Sequence, residues 1–156
     1  MQAAVAAATA PAVVAELKSS WSALNQWAKK ENGLEMLKLK LFDAEDQAKG
    51  YFTRMGDVSG AAGRGNRKLK GHGTVVMSGL QGFVEQLDDP ENLELVAARK
   101  FAVNHVNRNV KSKQFGWATG PLLDLLKERL GSAFTANTAD AWRKLLAVVS
   151  VALAEG

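Results

Sequence analysis

The chain has 156 residues, 47% of them apolar and 23% charged, which fits one soluble globular domain with a hydrophobic core. Its formal net charge is +4, its basic residues cluster only at 64–70, and no segment approaches the ~20 apolar residues that span a bilayer. We therefore expect neither nucleic acid nor a membrane as a partner, and the absence of cysteine excludes disulfides, thiolate metal sites and cysteine nucleophiles.

The N-terminal segment MQAAVAAATAP lacks the basic residues and the strongly apolar stretch of a signal peptide. We predict that residues 1–11 form a short extension and that 12–156 form one domain. The first helix is predicted to run from about Ala12 to Lys30. Its apolar residues recur at helical spacing and are Val14, Leu17, Trp21 and Leu24. The sequence ENG at 31–33 then predicts a break.

The middle of the chain predicts two helices separated by a glycine-rich loop. The apolar face of the first of them consists of Leu34, Leu37, Leu41 and Phe42. The sequence GAAGRGN at 60–66 predicts a surface loop, and it does not favour phosphate binding because no strand precedes it and no GK[ST] follows. A long helix is predicted over 67–87.

Three further helices are predicted in the C-terminal half. The sequence DDPEN at 88–92 is typical of a helix start and predicts a helix over 91–107. The next helix covers 112–130, with an irregularity at Pro121. The last begins after Thr138, a predicted N-cap. The count is six or more helices, so the predicted fold class is all-α.

The only two histidines lie on the apolar stripes of two different helices. His72 is followed at helical spacing by Val76, Leu80 and Phe83. His105 is preceded at the same spacing by Phe101, Ala97 and Leu93. One interpretation is a pair of ordinary core histidines bonded to backbone carbonyls. The alternative is that both side chains face one functional pocket.

The residues present restrict the chemistry of such a pocket. Bare zinc needs four nitrogen, sulfur or oxygen ligands, and the chain has no cysteine, third histidine or HExxH motif. A serine hydrolase site is not favoured because there is no GxSxG. A metal macrocycle supplies its own equatorial ligands, so it needs only one axial imidazole and an apolar slot. One histidine would be that ligand, and the other would face the open coordination position.

Several segments carry a family resemblance that covers nearly everything after the N-terminal segment. They are GYFTRMGDVS (50–59), LKGHGTVVMSGLQGFVEQLDDPENL (69–93), KFAVNHVNRNV (100–110), FGWATGPL (115–122) and AWRKLLAVV (141–149), with Trp21 and KKENG (29–33). Through them the chain resembles the globins, and more closely the intracellular haemoglobins of bivalves of the ark-clam type. The resemblance implies a globin fold of six to eight helices around a haem pocket, and a cytoplasmic location in haemoglobin-containing blood cells.

The resemblance also implies residue roles around haem b. His105 matches the proximal iron ligand, and His72 matches the distal histidine that donates a hydrogen bond to bound dioxygen. The residues that match the apolar walls of the pocket are Phe52, Val76, Leu37 and Phe101. The residues that match basic partners of the haem propionates are Arg54, Lys100 and Arg108.

The implied function is reversible dioxygen binding, for transport or storage, by a protein that is not an enzyme. The resemblance implies a homodimer or larger globin oligomer that pairs through the helices beside the haem, so that binding is cooperative. Phe101 matches a residue that moves between pocket and interface, Asn104 matches one that reaches the neighbouring haem, and Val75 faces the interface. The alternatives are a haem enzyme for peroxide or nitric oxide chemistry, a gas sensor, and a helical protein without haem.

Overall fold

The computed structural model describes residues 1–155, apart from the side chains at positions 98 and 99. Its first half is helical from the start. In chain order it contains α1 (Gln2–Ala8), α2 (Pro11–Leu24), α3 (Lys29–Leu34), a π-helical segment (Glu35–Leu41), α4 (Phe42–Ala44), a 3-10 segment (Asp46–Met55) and α5 (Gly60–Gly65). Because α3, the π-helical segment and α4 follow one another without a gap, they form one continuous helical rod.

The second half holds both histidines. It contains α6 (Arg67–Glu85), α7 (Pro90–Leu95), a π-helical segment (Val96–Ala102), α8 (Val103–Val106), α9 (Ser112–Gly116), α10 (Thr119–Leu130), a short 3-10 turn (Gly131–Ala133) and α11 (Ala136–Glu155). The predicted all-α class is confirmed, and no strand occurs in the part of the chain described. No helix in that part is long and apolar enough to cross a membrane.

The core lies between the N-terminal and C-terminal helices and extends towards α6. Its largest fully buried side chains include Trp142, Phe42, Phe83, Leu17, Leu24, Leu69, Met77 and Leu125. Trp142 packs against Trp21 with ring centroids 6.0 Å apart, and its indole N–H donates to the Ser20 hydroxyl at 2.9 Å. The one polar atom of this large side chain is therefore satisfied inside the apolar core.

The first helix begins as predicted, but its predicted end at Lys30 and the predicted break at 31–33 are wrong. Helix α2 already ends at Leu24, and residues 31–33 lie inside α3. The Asn32 side-chain amide donates to the carbonyl of Leu24 at 3.0 Å, and its oxygen accepts from Arg129 Nε at 3.2 Å. Gly33 lies against Gly73 of α6, where a Cβ would come within 2.3 Å of the Gly73 backbone. Gly33 permits a close helix crossing and Asn32 bonds to two other helices, so neither residue ends α3.

The glycine-rich segment at 60–66 was predicted as a loop, which is wrong because residues 60–65 form helix α5. Gly63 is buried, and a Cβ there would lie 2.2 Å from the Val58 carbonyl oxygen. The glycine thus permits a close backbone approach inside a short helix, a tertiary requirement that composition does not reveal.

The predicted cap of the last helix is also wrong, by three residues. Helix α11 begins at Ala136, and Thr135 precedes it. The Thr135 hydroxyl accepts from the Thr138 backbone N–H at 3.3 Å, and the Thr138 hydroxyl accepts from the Thr135 N–H at 3.0 Å. This reciprocal pair resembles a capping box. Thr138 is completely buried and also donates to the carboxylate of Glu16.

A helix was missed in the segment before Pro11. Helix α1 covers residues 2–8, and its Val5 and Ala8 are buried. It packs against α7 and α11. An alanine-rich segment has high helix propensity, but a helix this short is stable only when one face is packed. The burial of Val5 and Ala8 supplies that packing.

Candidate functional site

His72 lies on α6 next to the crossing between α6 and α3. Its neighbour Gly73 makes the close contact with Gly33, so the crossing sets the position of this turn of α6. The imidazole is half-buried, and the ring of Phe52 meets it edge to face, with centroids 5.3 Å apart and an interplanar angle of 77°. No side-chain hydrogen bond joins the His72 ring to another described residue. Its ring nitrogens are thus available to a ligand.

His105 lies on α8 and is oriented by the turn that precedes it. Its Nδ1 lies 2.9 Å from the carbonyl oxygen of Phe101. Because a carbonyl only accepts, Nδ1 carries the proton, and Nε2 keeps its lone pair for another partner. The Phe101 ring stacks on the imidazole at 3.8 Å between centroids and 17° between planes. Metal-binding histidines commonly have this arrangement of one bonded and one free nitrogen.

Aromatic rings line the space beside both histidines. Phe52 packs against Phe42 at 5.0 Å between centroids. Phe101 packs against Phe83 at 5.4 Å and against Phe115 at 5.5 Å. These contacts join the two imidazoles to the buried core through one ring on each side. The site is therefore apolar except for its histidines.

Burial lowers the pKa of both histidines below the ordinary value. For His72, desolvation is the main cause, and the positive charges of His105 and Arg108 lower the pKa further. For His105, desolvation again dominates; the hydrogen bond to Phe101 opposes it, and Arg108 adds to it. A charge on His105 thus disfavours a charge on His72. The neutral imidazole that a metal ligand requires is favoured in both.

The donor set fits a haem better than a bare metal ion. Within residues 1–155, no group of three or more histidine, cysteine, aspartate or glutamate side chains could hold a metal. A haem needs one axial nitrogen from the protein, and His105 Nε2 has the required lone pair. The aromatic rings around it provide an apolar lining for a planar macrocycle. The residues present therefore fit this group.

The other predicted site residues divide into buried and exposed groups. Leu37 is buried in the first π-helical segment, and Val76 lies half-buried one turn after His72. The four polar residues Arg54, Lys100, Asn104 and Arg108 are exposed. The Asn104 amide donates to the Lys100 carbonyl at 2.7 Å, and Arg108 donates to the Asn104 carbonyl.

Three members of the aromatic lining had no predicted role at the site. Phe42 and Phe83 belonged only to the apolar faces of predicted helices, and Phe115 lay in a segment of family resemblance without an assigned role. Phe42 contacts Phe52, and Phe83 and Phe115 contact Phe101, in each case between different helical elements. A single sequence carries no local signal for such contacts.

Two large apolar side chains near the histidines face outward. Val75 on α6 is 65% exposed, and Val103 on α8 is 52% exposed. Each lies within three residues of a histidine on the same helix. Isolated exposed valines are common, but these two lie on the helices that hold the site.

The chain matches known proteins over most of its length. A sequence model of the globin family, described as Globin, matches residues 36–153. Among curated proteins, the chain is 45% identical to the Globin-2 B chain of Anadara inaequivalvis, over 88% of this chain and 87% of that one. It is 43% identical to the Globin-1 subunit beta of Anadara trapezia, over 88% and 87%.

A third relative is the Globin-2 A chain of Anadara inaequivalvis, which is 41% identical over 91% of each chain. All three relatives are named as globins and none as an enzyme, which agrees with the non-enzymatic interpretation of the sequence. The family match covers both histidines and the aromatic residues around them. With its all-helical fold, this chain belongs to the globin family.

Proposed function

We propose that this chain binds dioxygen reversibly through a haem b, with His105 as the axial ligand of the iron and His72 on the opposite side. The main support for this proposal is the hydrogen bond that His105 Nδ1 donates to the Phe101 carbonyl. This bond leaves Nε2 free beside an aromatic lining. When bound, the haem supplies a ferrous iron that takes up dioxygen without net chemical change. An intracellular setting, which the resemblance implied, is part of the same proposal.

The proximal residues orient the ligand. The Phe101 carbonyl holds the His105 ring in one tautomer, and the stacked Phe101 ring restricts its rotation. Burial keeps the imidazole neutral, so the lone pair on Nε2 is available. His105 is therefore preorganised to coordinate iron from one side.

The distal residues stabilise the dioxygen ligand and exclude water. With the haem bound, the neutral imidazole of His72 would donate an N–H hydrogen bond to dioxygen. Burial lowers the pKa of His72 and so favours that neutral donor. Phe52 and Val76 are both partly buried beside His72 and limit the access of water and anions. Exclusion of water slows oxidation of the iron.

The exposed cations would hold the polar edge of the haem. Arg54, Lys100 and Arg108 are exposed, and none of the three forms an ion pair with a described carboxylate. The positive charge of Arg108 acts on both histidines, so this residue lies near the site. Propionates would provide the missing counter-charges.

Replacing His72 by leucine tests the distal role. The variant loses one hydrogen-bond donor to dioxygen, worth about 1 to 1.5 kcal/mol, so we expect the dissociation rate of dioxygen to rise about tenfold. Stopped-flow displacement of dioxygen by carbon monoxide measures this rate. His72→Gln is the matched control because it keeps an N–H donor, and it should change the rate less. An unchanged rate in His72→Leu would show that the ring points elsewhere.

We further propose that two copies pair through α6 and α8. The exposed Val75 and Val103 lie on these helices beside the histidines, so a contact here would bring the two haem sites close together. Phe101 and Asn104 flank Val103 in the chain and would also lie at this contact. A change at one site could then reach the other through the interface, which is the physical basis of cooperative binding.

Replacing Val75 by aspartate tests the pairing. In a two-fold interface each residue occurs twice, so the variant would bury two unpaired carboxylates. We expect the dimer to dissociate at concentrations about a hundredfold higher than for the unchanged chain, because the penalty is several kcal/mol. Sedimentation velocity measures the association, and an oxygen equilibrium curve measures the cooperativity. Ala147→Asp on the exposed face of α11 is the control. If the protein without substitutions is monomeric and binds dioxygen without cooperativity, the proposal is refuted.

A further inference from the structure

The side chain of Asn66 links two segments that carry distal residues. It precedes α6, and its Oδ1 accepts from the Leu69 backbone N–H at 3.0 Å, which caps the helix. Its Nδ2 donates to the carbonyl of Met55 at 2.9 Å and to the carbonyl of Asp57 at 3.0 Å. One amide group therefore makes three hydrogen bonds, one of them to the last residue of the 3-10 segment and one to the turn that follows it.

Residues 55–59, which accept these hydrogen bonds, form a turn that exposes two carbonyl groups to Asn66. Gly56 lies between the two carbonyls with φ of +80°, a conformation that favours glycine. The carboxylate of Asp57 accepts from the Ser59 backbone N–H at 2.8 Å and closes the same turn. The turn thus presents the carbonyls of Met55 and Asp57 to one side chain.

The two linked segments hold Phe52 and His72. Phe52 lies three residues before Met55, and its φ and ψ of −114° and 15° interrupt the helical backbone of the 3-10 segment. His72 lies six residues after Asn66 on α6. Between Met55 and Asn66 the chain runs through the turn and α5, so the covalent path is long. The amide of Asn66 connects the two segments directly.

We propose that Asn66 is a positioning residue that sets how Phe52 meets His72, and through them the orientation of the distal imidazole. The functional part of this inference rests on the proposed binding of haem. The edge-to-face contact of the two rings, 5.3 Å between centroids, joins the two segments at one point, and the hydrogen bonds of Asn66 join them at a second point. An asparagine suits the position because it combines one acceptor with two donors.

Replacing Asn66 by aspartate separates the link from the helix cap. Aspartate has the same shape and caps helices well, but a carboxylate has no N–H and would repel the carbonyls of Met55 and Asp57. We expect the C–O stretching band of the carbonmonoxy protein to broaden or split, because His72 would occupy more than one orientation. The dissociation rate of dioxygen should rise about three- to tenfold. The proximal Fe–His stretch in the ferrous protein should stay unchanged.

Two further experiments test the hydrogen-bonded link itself and the specificity of its effect. Amide hydrogen exchange of residues 55–59, followed by mass spectrometry, should be faster in Asn66→Asp, and this readout does not depend on ligand binding. Thr135→Ala removes the cap of α11 and is the control. It should lower the melting temperature and leave the C–O band unchanged.

The outcomes identify which proposal fails. Faster exchange with a C–O band and a dissociation rate like those of the unchanged chain would make Asn66 a structural link only and overturn the positioning role. If amide exchange of residues 55–59 were unchanged in Asn66→Asp, the hydrogen-bonded link from Asn66 to this segment would be refuted. An unchanged chain that binds neither haem nor carbon monoxide would refute the proposed function, and the positioning role with it, while the exchange of residues 55–59 would still test the link.

Discussion

Replacing His105 by glycine is expected to abolish stable haem binding and the dioxygen complex. His105 Nε2 is the only free imidazole nitrogen whose partner nitrogen is held by a backbone carbonyl in the described structure. Loss of an outer-shell partner alone lowers metal affinity 10- to 100-fold, so loss of the ligand should accelerate haem dissociation more than about 100-fold. Transfer of haem to an apoglobin acceptor, followed by absorbance, measures the rate.

Added imidazole provides the decisive control for this variant. The glycine leaves a cavity next to Phe101, and free imidazole should enter it and restore the Soret band and the Fe–nitrogen stretch. His72→Gly is the matched variant on the other side of the pocket. It should keep haem and the Fe–His stretch, because it removes no coordinating nitrogen. If His105→Gly kept the native Soret band without imidazole, the assignment of the axial ligand would be wrong.

Replacing Gly33 by alanine is expected to cause a large loss of stability. The new Cβ would lie 2.3 Å from the carbonyl carbon and oxygen of Gly73. Both contacts are with backbone, so no side chain can rotate away and the two helices must separate. The cost is at the upper end of overpacking, about 3 kcal/mol in the free energy of unfolding. The melting temperature should fall by about 10 °C.

A second methyl addition on α6 is the control for this prediction. Gly71 is exposed, and a Cβ there meets no atom within 4 Å. Gly71→Ala should raise the free energy of unfolding by about 0.5 to 1 kcal/mol, because alanine loses less backbone entropy in a helix. Urea denaturation of the two variants measures both changes. Equal stabilities in Gly33→Ala and the unchanged chain would mean that the helices do not cross this closely.

Separation of α3 from α6 in Gly33→Ala should also change the position of His72. His72 is the neighbour of Gly73, so separation of α3 and α6 moves the distal imidazole away from Phe52. A Gly33→Ala protein that still folds should therefore release dioxygen faster, as His72→Leu does. The effect would come from the distance between helices, since both distal side chains are kept.

Helical periodicity predicted the fold class correctly because it depends on local spacing. The helices over 67–87 and 91–107 are present with shifts of a few residues, and their apolar faces are buried. The predicted helix over 112–130 is divided into α9 and α10, and its interruption lies at 117–118 and not at Pro121. A helix with one apolar stripe is stable when that stripe is buried, and the spacing of apolar residues in the sequence defines the stripe. The same spacing places both histidines on the apolar stripes of their helices.

The main differences between the predicted and observed helices lie at segments rich in glycine and asparagine. The segments ENG and GAAGRGN have the composition of breaks and loops, yet both lie in helices. Gly33 and Gly63 lie in helices where another part of the backbone approaches too closely for a Cβ atom. Asn32 lies in a helix where its side chain bonds to Leu24 and Arg129. These partners are distant in sequence, so local propensity could not distinguish a break from a close contact.

The order of residues by itself determined the all-α class, the two imidazoles on apolar stripes and the resemblance to globins, because each depends on spacing along one chain. Tertiary structure alone decided that Phe52 meets His72 and that Asn66 joins their segments. Those facts depend on distances between elements, which are set by how closely the helices pack.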